Sequence, residues 1–196
     1  MKVGFFGGSF DPIHLGHINL AIRILELKEL DQILFCPALL SPTKQKTPPR
    51  ASAHHRLNML RLSLEGLTEC IPYEAELMRP PPSYTIDSIR KLEGMERYLI
   101  LAEDAAYELD QWKDGEELLD LAPPIIGTRF GADLEKLQRL PQNIRLKVEA
   151  GMCSIPTLDI SSTEIRDRIG KRLYCGHLLN GKVLDYIHQN GLYCGN

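Results

Sequence analysis

The sequence lacks an excess of positive charge and a long apolar run. Its 23 Lys and Arg residues face 26 Asp and Glu, giving a net charge of −3, which excludes a generally basic nucleic-acid-binding protein. The longest apolar run, Ile33–Leu40, is interrupted by Pro37 and is far shorter than the roughly 20 residues of a membrane-spanning helix. Because Asp11 stands where a secretory apolar region would continue, we expect the mature chain to start at Met1 in the cytosol, with no nucleic-acid or membrane partner.

Closely spaced cysteine pairs are also absent from the sequence. The five cysteines are odd in number and none falls in a C-x-x-C pair, so the sequence suggests neither a disulfide framework nor a zinc site. What is present is an average composition, with 43% hydrophobic and 25% charged residues among 196. These values are typical of globular proteins, and this length predicts a single domain over residues 1–196 with a full core.

Strand-like and helix-like segments alternate along the chain. The predicted strands are Lys2–Phe6, Gln32–Cys36, Cys70–Tyr73, Tyr98–Leu101, Pro124–Thr128 and a weaker one within Arg145–Ile155. The predicted helices are a segment from Gly16 with Ile18, Ala21, Ile22 and Leu25 on one face, a segment from the cap Ser52 to Leu64, and Tyr84–Leu92, Asp104–Leu109, Glu116–Leu121, Ser161–Ile169 and Val183–Gln189. This alternation predicts an α/β fold, a Rossmann-like doubly wound parallel sheet with helices on both faces. Ligands of such sheets bind beyond the carboxyl ends of the strands, and we expect the long loop Pro37–Ala53 to be functional there.

The glycine-rich segment Gly7–His17, between the first strand and the first helix, is the strongest local signal. It has neither the lysine of a Walker A loop nor the G-x-G-x-x-G spacing, so phosphate binding here would need other groups. His14 and His17 stand three residues apart at a helix start, where backbone N–H groups favour anions. We favour a phosphate clamp. Two ordinary surface or core histidines, or half of a metal site, are the alternatives.

A second segment, Ile160–Arg166, places hydroxyl groups at the start of another helix. Ser161 and Glu164 match a capping box, which would be a purely structural role. Ser162 and Thr163, with Arg166 one turn further on, would instead hold a polyphosphate through hydroxyls, backbone N–H groups and a planar cation. We favour the second interpretation because the hydroxyls and the arginine occur together.

Charge is unevenly distributed along the chain. No Asp or Glu occurs from Gln32 to Leu64, where the positive residues are Lys44, Lys46, Arg50, Arg56 and Arg61, so an anionic ligand is expected near this stretch. Glu103–Asp120, in contrast, is strongly acidic and is most simply a solvated helical face. Within it, Asp104 directly follows a predicted strand, which is a suitable place to accept a hydrogen bond from a ribose hydroxyl.

The two segments together resemble the motifs of a known superfamily. Gly-Gly-Ser-Phe-Asp-Pro-x-His-x-Gly-His and Ile-Ser-Ser-Thr-x-Ile-Arg resemble the nucleotidyltransferases that include adenylyl and cytidylyl transferases. Within that superfamily, the segments that resemble bacterial nicotinate-nucleotide adenylyltransferases are Pro82–Asp87, Asp104 with Trp112, His55–Met59 and Val183–Ile187. The resemblance implies transfer of AMP from ATP to nicotinate mononucleotide, giving nicotinate adenine dinucleotide and pyrophosphate on the route to NAD.

The resemblance also implies roles for individual residues. Those that would act on the ATP phosphates and the departing pyrophosphate are His14, His17, Lys44 and Arg166. The rest of the ATP site would consist of Gly7, Gly8, Ser9, Phe10, Gly16, Asp104, Ser161, Ser162 and Thr163, with residues 161–196 as the C-terminal helical part that completes it. Nicotinate mononucleotide would be bound by Tyr84, Thr85 and Trp112, whose ring would stack on the pyridine unless it is a core residue. Mg²⁺ would arrive with ATP, held by phosphates and water rather than by the protein.

The sequence departs from the family pattern at the ligand edge. Ala38 stands where relatives usually have Asn, Ser41–Lys44 where they have Pro-Pro-His-Lys, so that Thr43 replaces His, and Ala102-Glu103 where they have Gly-x. Two alternatives therefore stay open, namely a same-fold adenylyltransferase for another phosphate acceptor, such as nicotinamide mononucleotide or phosphopantetheine, and a catalytically weak nucleotide-binding protein. Whether the chain forms a homo-oligomer is also open.

Overall fold

The computed structural model of the chain describes residues 1–42, 45–128, 133–156 and 158–195. Its strands are β1 (Lys2–Gly8), β2 (Gln32–Pro37), β3 (Cys70–Pro72), β4 (Glu96–Ala102), β5 (Pro124–Thr128) and β6 (Met152–Ser154). Its helices are α1 (Leu15–Leu27), α2 (Ala53–Leu64), α3 (Thr85–Ile89), α4 (Glu103–Ala106), α5 (Gly115–Leu121), α6 (Leu134–Gln138), α7 (Gln142–Gly151), α8 (Ser162–Gly170) and α9 (Gly181–Gln189), with a 3-10 turn at Leu109–Gln111. No helix within these ranges has the length and apolar character needed to cross a membrane.

The strands form one sheet in the order β3-β2-β1-β4-β5-β6. The pairs β1–β4, β4–β5 and β5–β6 are parallel, with Gly4 opposite Tyr98 and Ile100 opposite Ile125. Strand order reverses at β1, as in doubly wound nucleotide-binding folds, which confirms the predicted fold class. The carboxyl end of β1 leads into residues 9–14, and the carboxyl end of β4 leads directly into α4.

Residue contacts divide the chain into two compact units. The first consists of Met1–Gly7, Leu20–Phe35 and Tyr84–Thr157, and the second consists of Gly8–Asn19, Cys36–Ser83 and Leu158–Asn196. The first unit therefore contains most of the sheet, whereas the second contains α2, α8 and α9. Both motif segments identified in the sequence, from Gly8 onward in the first case, belong to the second unit.

Each unit has its own apolar core. In the first unit the fully buried side chains include Phe5, Ile33 and Ile100, which lie on neighbouring strands. In the second unit α2 packs on α9, and the side chains that these helices bury include Met59, Leu60, Val183 and Ile187. Each such side chain contributes about 1.5–3 kcal/mol of hydrophobic stabilisation, so both units have an independent reason to stay compact.

The face that helix α1 buries shares only Ala21 with the predicted one. Its buried residues are Leu20, Ala21 and Ile24, whereas Ile18, Ile22 and Leu25 of the predicted face are only partly buried. The helix is apolar on most sides, so a period of 3.6 residues does not select a single face.

The predicted weak strand within Arg145–Ile155 is confirmed, whereas the helix before it was not predicted. A strand does lie within Arg145–Ile155, but it is limited to Met152–Ser154, and the residues before it form α7. Ile144, Leu146 and Val148 alternate as in a strand, but Ile144 and Val148 are also one helical turn apart and are buried, while Leu146 is 55% exposed. The same apolar residues fit both periods, and packing decides between them.

Two other predicted helices are shorter or divided in the structure. Helix α3 covers only Thr85–Ile89 of the predicted Tyr84–Leu92. The predicted helix Asp104–Leu109 is replaced by α4 and the separate 3-10 turn at Leu109–Gln111. The short α6 was not predicted, because its five residues are too few for a periodic signal.

Candidate active site

The loop that follows β1 has an unusual backbone conformation at Phe10. Its φ is +47°, a left-handed conformation that costs a non-glycine residue free energy and is kept only where the surroundings hold it. The Phe10 ring is 2% exposed and lies so close to Gly8 that a Cβ there would come within 3.0 Å of its Cζ. Because Gly8 has no side chain, the phenyl ring can pack against it. The ring also contacts His17 edge-on, with ring centroids 5.1 Å apart.

His14 and His17 form a stacked pair at the start of α1. Their ring centroids are 3.7 Å apart and the ring planes differ by 24°. The His14 backbone N–H donates to His17 Nδ1 at 3.3 Å, which places the proton of a neutral His17 ring on Nε2. Gly16 permits this arrangement, because a Cβ at that position would lie 3.0 Å from His14 Nδ1.

His14 is neutral at physiological pH in this environment. The His14 residue is 6% exposed, and this burial lowers the pKa of its imidazole from 6.5 to about 4. His14 Nδ1 makes no hydrogen bond within the described residues. The pair therefore offers ring N–H groups, rather than a fixed positive charge from His14, to a ligand.

Helix α8 brings the second motif against this loop. Ser161 caps the helix by accepting from the Glu164 N–H at 3.1 Å, and Ser162 Oγ donates to the Pro12 carbonyl at 2.8 Å. Arg166 Nη1 donates to the Asp11 carbonyl at 2.7 Å, and Nη2 donates to Thr163 Oγ1 at 3.0 Å. The structural role of Ser161 is thus realised, while the guanidinium keeps further N–H groups beyond these two bonds.

Sequence reasoning missed three residues that hold the loop. Asp11, 4% exposed, accepts from the Ala51 N–H at 3.1 Å and from the Tyr193 hydroxyl at 2.7 Å. Arg56, 1% exposed on α2, donates from Nη1 to the Ser9 carbonyl at 2.6 Å. Burial lowers the pKa of Arg56, and the negative charge of Asp11 acts in the opposite direction. Asp11 and Arg56 stand inside the segments that carry the family resemblance, and Arg56 also belongs to the acid-free stretch Gln32–Leu64, but neither signal predicts that these side chains hold the loop.

The first unit contains the residues expected to bind the acceptor, and also Asp104, which is expected to bind ATP. Asp104 is exposed in the first turn of α4, directly after β4. Tyr84, Thr85 and Trp112 are all partly buried, so Trp112 is neither a core residue nor a freely exposed ring. The structure adds Lys113, whose Nζ lies 4.5 Å from the centre of the Tyr84 ring and 3.4 Å from Asp87 Oδ1.

The remaining positions are Lys44 and those where the sequence departs from the family pattern. Lys44, and the departure at Thr43 beside it, lie outside the described residues. Ala38 is buried and its N–H donates to the Gly8 carbonyl at 2.9 Å, while Ala102 is exposed at the end of β4. Among the residues that the structure describes, no three His, Cys, Asp or Glu side chains gather as metal ligands.

Known proteins resemble this chain over its whole length. A probable nicotinate-nucleotide adenylyltransferase from Carboxydothermus hydrogenoformans is 37% identical over 198 residues, covering 98% of each chain. The chain belongs to the nicotinate-nucleotide adenylyltransferase family. A relative of the same name from a Hydrogenobaculum species is 38% identical, again with 98% of each chain covered. Residues 5–168 also match the wider cytidylyltransferase-like family.

A solved structure shows the same fold. The nicotinic acid mononucleotide adenylyltransferase of Plasmodium falciparum, complexed with NaAD, superposes with a TM-score of 0.76. The match covers 98% of this chain and 97% of that one at 22% identity, which is evidence about the fold. The family resemblance inferred from the sequence motifs is confirmed, and the chain is a nucleotidyltransferase.

The lowered pKa of His14 predicts an acid-sensitive contribution to stability. A histidine whose pKa falls from 6.5 to about 4 on folding stabilises the protein fully above pH 6.5, and this contribution is lost as the pH falls toward 4. The loss is roughly 3 kcal/mol for a shift of this size. Denaturant unfolding of His14→Gln at pH 7.5 and 4.5 should therefore show a smaller acid-induced loss than wild type. Substitution of the exposed His177 in His177→Gln is the control. Equal acid-induced losses of stability in wild type and His14→Gln would contradict the lowered pKa of His14.

Proposed function

We propose that this chain transfers the adenylyl group of ATP to nicotinate mononucleotide and releases pyrophosphate. An oxygen of the acceptor phosphate attacks the α-phosphorus, the bond between the α-phosphorus and the bridging oxygen breaks, and the electron pair leaves with pyrophosphate. Such a reaction requires positioning and electrostatic stabilisation rather than a covalent intermediate. The observation that carries the proposal is the convergence of the His14–His17 pair and Arg166 on one loop within a single unit.

The residues of this loop have complementary roles in the proposal. His14 and His17 donate ring N–H groups to oxygens on which negative charge grows as pyrophosphate departs. Arg166 supplies the permanent charge, and its planar guanidinium suits the outer phosphates. Gly7, Gly8, Ser9, Phe10 and Gly16 shape the loop, and Ser162 and Thr163, in the C-terminal part formed by residues 161–196, contribute hydroxyl oxygens. Lys44 adds a second cation from the long loop.

The acceptor is assigned to residues of the first unit. Trp112 stacks on the pyridine ring, and Tyr84 and Thr85 orient it. Asp104, which is assigned to ATP, accepts from a ribose hydroxyl of that nucleotide. The Lys113 ammonium beside the Tyr84 ring favours an acceptor that carries a carboxylate over one that carries a neutral amide. Mg²⁺ accompanies ATP as part of the substrate and is held largely by phosphate and water oxygens.

A pyrophosphate-release assay with ATP and a panel of acceptors tests the function directly. Nicotinate mononucleotide should exceed nicotinamide mononucleotide by at least about 100-fold in kcat/KM, because the two differ by a full charge at the pyridine substituent. Phosphopantetheine should give no turnover. Equal rates with the two pyridine nucleotides would contradict the acceptor assignment, and ATP binding without turnover on any acceptor would identify a nucleotide-binding protein without this activity.

A histidine variant tests the role of the clamp in the transition state. Because His17 acts on charge that develops during the reaction, His17→Ala should lower kcat by about 10²–10³ while changing ATP affinity much less. Steady-state kinetics and an equilibrium titration with ATP measure the two effects separately, with His177→Ala as the control. A variant with nearly normal kcat and weakened ATP binding would show that His17 only binds the ground state.

A further inference from the structure

The Asp11 carboxylate is buried and accepts hydrogen bonds from two distant parts of the second unit. Its Oδ2 accepts from the Arg50 N–H at 2.8 Å, and its Oδ1 accepts from the Ala51 N–H at 3.1 Å. Oδ1 also accepts from the Tyr193 hydroxyl at 2.7 Å, the shortest of these bonds. A carboxylate that is 4% exposed must have such partners, because leaving one of its acceptor sites unfilled is costly.

Tyr193 reaches Asp11 from the segment that follows α9. Its φ is +63°, a left-handed conformation that a tyrosine rarely adopts. Burial and the Asp11 charge raise the pKa of Tyr193, so the hydroxyl stays protonated and donates. The left-handed backbone at Tyr193 costs free energy, and its hydrogen bond to the buried Asp11 carboxylate offsets that cost.

Arg166 is close to the same carboxylate but is not fully paired with it. Its Nη1 lies 3.9 Å from Asp11 Oδ2, while donating to the Asp11 carbonyl at 2.7 Å. Arg56, another cation near Asp11, is held by the carbonyls of Ser9 and Leu39. If the Tyr193 hydroxyl were absent, Arg166, whose Nη1 already lies 3.9 Å from Asp11 Oδ2, could turn toward the unfilled carboxylate.

We propose that Tyr193 is a positioning residue, whose hydroxyl satisfies Asp11 and thereby keeps the Arg166 guanidinium directed to the phosphates of ATP. Tyr193 itself need not touch the nucleotide. Because the Tyr193 hydroxyl donates to the Asp11 carboxylate, that carboxylate does not compete with ATP for the Arg166 N–H groups. The inference rests on the proposed role of Arg166 in ATP binding and adds a residue to that site.

Titration of the full-length protein with ATP and Mg²⁺ tests this role. Tyr193→Phe keeps the ring and removes only the hydroxyl, and it should raise the Kd for ATP by about 5-fold or more, the scale of a lost hydrogen bond to a charged group. The KM for nicotinate mononucleotide should stay within about 2-fold of wild type, because Tyr193 acts on the phosphate side alone. An unchanged Kd for ATP would overturn the proposal.

A matched tyrosine separates positioning from stability. Tyr186 on α9 lies in the same unit, and its hydroxyl accepts from Asn58 at 3.0 Å and hydrogen-bonds His55 Nδ1 at 2.9 Å. Tyr186→Phe should lower the melting temperature without changing the Kd for ATP. Melting curves are recorded first, and all titrations are made where every variant is folded. Equal increases in Kd for the two tyrosine variants would mean a general structural effect and would overturn the proposal.

A double-mutant cycle with Arg166 tests the mechanism. If Tyr193 acts through Arg166, Tyr193→Phe should have no further effect on ATP affinity in an Arg166→Met background. The same fold-increase with and without Arg166 would overturn the inference.

Turnover of the wild type with nicotinate mononucleotide is measured alongside these titrations. ATP binding without turnover would refute the proposed function while leaving the Tyr193 cycle interpretable. Failure of the wild type to bind ATP would refute both.

Discussion

The need to satisfy the buried carboxylate of Asp11 is the constraint on which the candidate phosphate site depends. Asp11 accepts from the backbone at Arg50 and Ala51 and from the Tyr193 hydroxyl, and Arg166 donates to its carbonyl. These groups come from three separate stretches of sequence. A carboxylate that is 4% exposed needs hydrogen-bond donors, so contacts from separate parts of the second unit stabilise the loop after β1.

The histidine pair depends on the same loop. Phe10 is held in a left-handed conformation over Gly8, and its ring contacts His17. His14 stacks on His17, and its burial lowers its pKa, so that it is a neutral hydrogen-bond donor. In the proposed mechanism, Arg166 and Lys44 supply the permanent positive charge. This division of labour suits a reaction in which the barrier is lowered by oriented donors rather than by a nucleophile.

Much of the fold follows from local patterns, and the differences have physical causes. Strands β1, β2 and β5 and helices α2, α8 and α9 are close to their predicted bounds, because apolar runs, the Ser52 cap and the Ser161 cap are local signals. The face of α1 and the identity of residues 145–151 could not be predicted, because their apolar residues fit more than one packing arrangement. Packing in the folded chain determines both the buried face of α1 and the helical structure of residues 145–151.

The candidate site shows the same contrast. His14, His17, Ser162 and Arg166 could be proposed from motif spacing, and the structure brings them to one loop. Tyr193 could not, because it meets Asp11 across 182 residues and no local pattern announces such a pairing. Arg56 could not either, because a charged residue on a helix is expected to face solvent, and only the carbonyls that it meets explain its burial.

The affinity of Asp11→Asn for ATP, measured by calorimetry together with its melting temperature, is the most direct test of the central constraint. The substitution keeps the shape of the side chain but replaces one acceptor oxygen by a donor, so at least one of the surrounding N–H or O–H groups loses its partner. The account predicts that the folded variant binds ATP at least about 10-fold more weakly than wild type, since the groups around Arg166 and the loop lose their common acceptor. A folded Asp11→Asn protein with the ATP affinity of the wild type would contradict it.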